Sequence, residues 1–170
     1  YGIYGNGLRN NGSHMIDMFR MLFGEISNYE AIPQIEIISQ GTIKNDLNLG
    51  FVLKTFSGIS SIFAPVNFKF YRENGIIIYG EKGRLDILNE GLNNTFYPSN
   101  PSRSLSGANE ISYDKEIKLD QSLINGFLNI YNNLSDALEN KSPLLSNADS
   151  ALKNEEIIEN ILNSVKQKHE

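Results

Sequence analysis

The residues best suited to chemistry sit near the start of the chain, in the run Arg9-Asn10-Asn11-Gly12-Ser13-His14, with Asp17 following closely. An imidazole titrates near neutrality, so His14 can exchange a proton with a substrate hydroxyl. Asn10 and Asn11 each donate and accept hydrogen bonds, which suits the hydroxyls of a sugar. The run leads into a helix, whose first turn has free amides and a partial positive charge that attract hydroxyls or an anion. Arg9, Asn11 and Asp17 are therefore candidate substrate-binding residues. Spacing alone leaves a structural role for His14 open. It also leaves Asp17, on a neighbouring part of the helix face, either bonded to His14 or solvated.

The opening Ile3-Tyr4-Gly5-Asn6-Gly7-Leu8-Arg9 imitates a strand entering a phosphate-binding loop. The dinucleotide fingerprint needs a third glycine, and Asn10 stands in its place. No strand–helix alternation follows, so we expect no cofactor-binding residues in this chain. The segment reads as a flexible loop leading to the helix.

Several elements must position this polar run. Met15, Ile16, Phe19, Leu22 and Phe23 recur at helical spacing, with Ser13 as a candidate N-cap and Gly24 as the stop. Strands are expected at 35–39, 47–56, 59–66, 68–72, 75–79 and 84–88. Turns fall at Ser57-Gly58 and Glu81-Lys82-Gly83, with weaker strands at 94–97 and 110–117. Residues 98–109, rich in Pro, Ser, Asn and Gly, read as an exposed loop. Two helices close the chain. The first has an apolar face of Leu123, Ile124, Phe127, Leu128, Tyr131, Leu134 and Leu138, with Asp120 as N-cap. The second opens on a Ser146-to-Asp149 capping box, and its stripe runs Ala148, Ala151, Leu152, Ile158, Ile161, Leu162 and Val165. The tail from Lys166 to Glu170 should fray. Strands that cluster rather than alternate with helices predict an α+β fold, a largely antiparallel open β-sheet with helices packed on one face. The strand at 47–56 has apolar groups on both sides, so the other face should serve a homodimer or homotetramer.

Composition narrows the function classes. A net charge of −5 with no basic cluster disfavours nucleic acid as a partner. No apolar run nears the roughly 18 residues of a membrane span. With 0 cysteines and 2 separated histidines, no metal site is expected. These features suit a cytoplasmic protein. The chain begins with Tyr1 and not Met, and we expect it to be one part of a longer polypeptide.

The polar run and three later segments together resemble the C-terminal domain of the glucose–fructose oxidoreductase and inositol dehydrogenase family (Gfo/Idh/MocA). Asn10-Asn11-Gly12-Ser13-His14-Met15-Ile16-Asp17 is similar to that family's Asp-x-Gly-x-His motif with its trailing Ile-Asp, and Phe23-Gly24-Glu25 to its helix closure. Tyr79-Gly80-Glu81-Lys82-Gly83-Arg84-Leu85 is similar to its Tyr-Gly-x-x-Gly-x-Leu turn. Ser142-Pro143 and Asp149 fall as in its final helix pair. The resemblance implies that residues 1–170 form a C-terminal substrate-binding and oligomerisation domain. NAD or NADP would then be held mainly by an N-terminal Rossmann domain absent from this chain. The substrate implied is a sugar, nucleotide sugar or polyol, oxidised by hydride transfer. By the same likeness His14 is the catalytic proton-transfer residue, and Asn10 occupies the catalytic position of the family's Asp. An amide cannot act as a base, and Glu81-Lys82 is followed by Gly83 where the family's catalytic lysine motif has Pro. A non-catalytic sugar-recognition or scaffold domain of the same fold is the alternative, and an unrelated free-standing α+β domain is a third.

Overall fold

The computed structural model describes residues 1–38, 41, 43–121 and 125–166. Its strands are β1 (Gly2–Tyr4), β2 (Ile26–Ile38), β3 (Leu47–Thr55), β4 (Ser60–Pro65), β5 (Gly75–Gly80), β6 (Gly83–Leu88), β7 (Asn93–Pro101), β8 (Asn109–Ile111) and β9 (Ile117–Leu119). The helices are α1 (Ser13–Phe23), α2 (Gly126–Leu138) and α3 (Ala148–Lys166). All the described strands join one sheet in the order β2-β3-β4-β1-β5-β6-β7-β8, with β9 also paired to β7. Among the described residues only β1 and β4 run parallel; the other pairings are antiparallel. The expected α+β architecture is therefore the one the chain adopts.

The Gly-rich opening is the sheet's central strand. β1 threads between β4 and β5, a placement no Rossmann first strand could share with an antiparallel partner. From there the chain crosses the sheet as α1. The registers put Phe51, Phe63, Gly2, Ile76 and Ile87 in one row on the helix side. Phe51 stacks on Phe63 at 4.8 Å between ring centroids, and Phe19 of α1 meets Phe63 edge-on at 5.8 Å. The Cβ of any larger residue at position 2 would lie 2.2 Å from the Phe63 ring, so glycine permits this packing. Ile16 and Phe19 are fully or almost fully buried, each stabilising the fold by about 1.5–3 kcal/mol. Ile158, Ile161, Leu162 and Val165 of α3 complete the core beside α1.

Several local expectations change. Residues 68–72 form a turn, not a strand, because Asn67 accepts the Lys69 amide through Oδ1 and the Phe70 amide through its carbonyl. The loop expected at 98–109 is mostly a hairpin: β7 runs on to Pro101 and pairs with β8. The backbone hydrogen bonds there do not need an apolar pattern, so its polar composition misled. Asn147, not Ser146, caps α3, its Oδ1 accepting the Ser150 amide at 2.9 Å. Leu152 is exposed, while Asn154 is buried and donates to the Ser13 carbonyl at 3.1 Å. Helix α2 buries none of its residues, and Phe127 and Tyr131 are 79% and 67% exposed. Helices on one face thus describes α1 and α3. The expected helix positions Leu123 and Ile124, residue 39 of the expected first strand and the end of the tail lie outside the described residues, as does His169.

Candidate functional site

The polar run starts helical structure earlier than its sequence suggests. Leu8–Gly12 forms one wide π-helical turn, closed by the Gly12 amide donating to the Gly7 carbonyl at 3.0 Å, and α1 continues from it. Such turns displace the residues that follow and recur at functional sites. Ser13 is inside this helix and its hydroxyl donates back to the Asn10 carbonyl, so it does not serve as the N-cap.

Two residues that sequence reasoning passed over hold the turn. Asp46 is 3% exposed, and its carboxyl oxygens accept the Arg9 amide at 3.1 Å and the Asn10 amide at 3.2 Å. Asn48 is also buried, and its Oδ1 accepts the Gly7 amide at 2.5 Å. Three amides at this helix start, those of Gly7, Arg9 and Asn10, are thus bonded inside the protein and not offered to a substrate. Gly7 has φ 104, and a Cβ there would lie 1.9 Å from Asp46 Oδ2. That glycine serves the close approach of Asp46, in the place where a dinucleotide loop would receive a phosphate. The residues present therefore do not fit a cofactor pyrophosphate. Beneath the turn, the buried Tyr4 hydroxyl donates to the Leu49 carbonyl at 2.6 Å and accepts the Leu49 amide at 2.9 Å. Burial pushes the pKa of this hydroxyl up, so it stays a neutral donor.

Above the turn, His14 is exposed and lines a cleft of about 620 Å³ with Asn11, Asn74 and Glu90. Met15, Met18, Met21, Leu22 and Ile87 make its apolar walls. One side comes from α1 and the other from the turn joining β6 to β7, so the cleft lies between helix and sheet. Concave apolar sites with a few convergent polar groups are the usual form of small-molecule sites.

The remaining predicted residues sit elsewhere. Arg9 reaches α3, where its guanidinium pairs with Glu155 and Glu159. Asp17 stands 3.6 Å from the buried guanidinium of Arg20, and among the described residues no hydrogen bond joins it to His14. The Asn10 side-chain amide makes no hydrogen bond among the described residues, and none of Arg9, Asn10 and Asp17 lines the cleft. The structure brings together His14 and Asn11 from the predicted set, and adds Asn74 and Glu90. Glu90 had a sequence signal: Asn89-Glu90-Gly91 sits between two strand patterns, where a side chain is displayed at a turn tip.

The features so far define a class, an open-sheet α+β domain with a polar-ended cleft between its first helix and the sheet. A sequence profile of the oxidoreductase family C-terminal alpha/beta domain (Gfo/Idh/MocA) matches residues 40–170. The chain belongs to this family. The match begins beyond His14 and does not include the cleft residues of α1. No curated protein sequence matches. Among solved structures, a candidate NADPH-dependent oxidoreductase from Desulfitobacterium hafniense superposes with a TM-score of 0.72 at 14% identity, over 98% of this chain and 54% of that one. The WlbA dehydrogenase of Bordetella pertussis, in complex with NADH and UDP-GlcNAcA, gives 0.60 at 15% identity, over 96% and 43%. Biliverdin reductase from Synechocystis, in complex with biliverdin and NADP+, gives 0.60 at 14%, over 96% and 52%. The chain spans about half the length of these structures.

Proposed function

We propose that this chain is the substrate-binding and oligomerisation domain of a larger NAD- or NADP-dependent oxidoreductase that oxidises a sugar, nucleotide sugar or polyol. The observation that carries this reading is the exposed His14 imidazole beside Asn11 in a cleft whose polar turn is fixed from below by Asp46 and Asn48. Neighbours of this fold hold ligands as different as a nucleotide sugar and a tetrapyrrole. The preference for a hydroxylated substrate therefore comes from the cleft's own polar groups.

In this reading the substrate carbinol lies against the α1 wall. Asn11 orients its hydroxyl, and His14 takes the hydroxyl proton as the C–O bond gains double-bond character. The hydride leaving carbon would pass to a nicotinamide held by a nucleotide-binding domain. The apolar methionine and leucine walls exclude water from the reacting carbon.

Two surfaces suit a larger assembly. The apolar stripe of α2, including Phe127, Tyr131, Leu134 and Leu138, faces solvent and would dock the nucleotide-binding domain. The sheet face opposite α1 presents Val52, Ala64 and Ile62, the last 49% exposed, and would form a homodimer or homotetramer. Among the described residues no helix is long and apolar enough to cross a membrane.

The test is deuterium transfer from a carbon-deuterated polyol to the nicotinamide, run with the complete natural protein. Label appearing in the reduced cofactor supports the reading; its absence with every sugar, nucleotide sugar and polyol tried refutes it. A non-catalytic recognition domain is the second reading, favoured by Asn10 at the position of the family's acid. It predicts saturable sugar binding without label transfer.

A further inference from the structure

The turn between β6 and β7 is built unusually for its length. Asn89, Glu90 and Gly91 have φ of 50, 60 and 84, three successive left-handed residues. Glycine adopts this conformation freely and asparagine tolerates it, but a glutamate there crowds its own Cβ. Side chains held in such a conformation cluster at functional sites. Here the result is that Glu90 stands on the cleft wall contributed by the sheet, with His14 and Asn11 contributed by α1.

The Glu90 carboxylate is fixed by one oxygen. Oε1 accepts from the Arg72 guanidinium and from Asn74 Nδ2, the latter at 3.2 Å, while Oε2 has no partner among the described residues. Asn74 is itself buried at the base of the same cleft, and its backbone carbonyl accepts the Glu90 amide. The side chain is thereby held from its backbone and from Oε1. No lysine or arginine lines the cleft.

We propose that Glu90 is a specificity-determining residue, whose free carboxylate oxygen accepts a hydrogen bond from a substrate hydroxyl and so selects an uncharged polyol over an anionic sugar. This rests on the cleft being the substrate site, as argued above. A carboxylate only accepts. A hydroxyl supplies the donor it lacks, whereas a uronate or phosphate sets lone pairs against lone pairs. An anion entering this cleft would also be desolvated beside a carboxylate, and the Arg72 guanidinium is already paired with Glu90 Oε1.

The experiment compares the wild-type complete natural protein with Glu90→Gln on myo-inositol, glucuronate and glucose 6-phosphate. Wild type should favour the neutral polyol in kcat/KM by at least about tenfold, the scale of one hydrogen bond to a charged group. Glu90→Gln, with its melting temperature checked against wild type, should shrink that preference about tenfold, with KM changing more than kcat. Where turnover is too slow, calorimetric titration with the same three probes reads the same ratio. Wild-type preference for either anion, a ratio unchanged within twofold in Glu90→Gln, or no binding of any probe would overturn the proposal. A His14→Ala variant separates this from the reading it rests on. Unchanged kcat in His14→Ala sinks the proton-transfer role while leaving a Glu90-dependent ratio standing. A lost kcat with a Glu90-independent ratio does the reverse.

Discussion

Removing the carboxyl of Asp46 tests how the candidate site is held in place. Asp46→Ala deletes the acceptor for two backbone amides, Arg9 and Asn10. An unsatisfied buried amide costs about 1–3 kcal/mol, and both residues are half-buried, so about 1.5 kcal/mol each is reasonable. The sum, about 3 kcal/mol, is reduced a little because the desolvated carboxyl is no longer buried. For a chain of this size 1 kcal/mol moves Tm by about 2–4 °C, so a fall of about 8 °C is expected. Asp46→Asn keeps one carbonyl acceptor and should lose about half as much. The assays are calorimetry for Tm and hydrogen exchange of the Arg9 and Asn10 amides, which should lose protection before the sheet does. A Tm within about 2 °C of wild type for Asp46→Ala, where about 8 °C is expected, would refute the argument. So would equal exchange rates at the two amides in wild type and variant.

Three further outcomes follow from the same interactions. Tyr4→Phe strands the Leu49 amide and carbonyl, both otherwise paired with the buried hydroxyl. It should cost about 2–4 kcal/mol in urea unfolding, and a loss under about 0.5 kcal/mol would contradict the pairing. Glu25 is held below its ordinary carboxyl value, first by the hydrogen bond from Arg20 and then also by Lys153. Its folded value lies below the unfolded one, so its stabilisation is complete above pH 4.5 and lost as pH falls through the folded value. The stability gap between wild type and Glu25→Gln should close on acidification, and a gap constant with pH in urea titrations would contradict this. Tyr131→Glu on the exposed face of α2 should leave the Tm of this chain within about 2 °C while lowering that of the complete natural protein. Equal effects in both would remove α2 from the domain contact.

The β3–β4 and β5–β6 hairpins were legible because turn chemistry is local. Glu81-Lys82 between Gly80 and Gly83 fixes the β5–β6 register, and helical spacing gave the buried Met15, Ile16 and Phe19 of α1, while Leu22 from the same pattern is exposed. His14 and Asn11 could be singled out for a related reason, since both lie within one turn of a recognisable helix start. Asp46 and Asn48 could not, because each acts on amides about forty positions earlier in the chain, a separation no periodicity reports. Glu90 fell between these cases, visible as a turn residue but silent about the cleft it borders. Amphipathicity announced that α2 has an apolar face and said nothing of what covers it. The polar residues of β7 and β8 concealed a hairpin whose strand pairing is made by the backbone.

The central claim is that the exposed imidazole on the first helix moves the substrate proton. Steady-state kinetics of His14→Ala in the complete natural protein, with a neutral polyol and nicotinamide cofactor, tests it most directly. The account predicts a fall in kcat of about 10²–10⁴, with polyol affinity in titrations within a few-fold of wild type. A kcat at the wild-type level would contradict it.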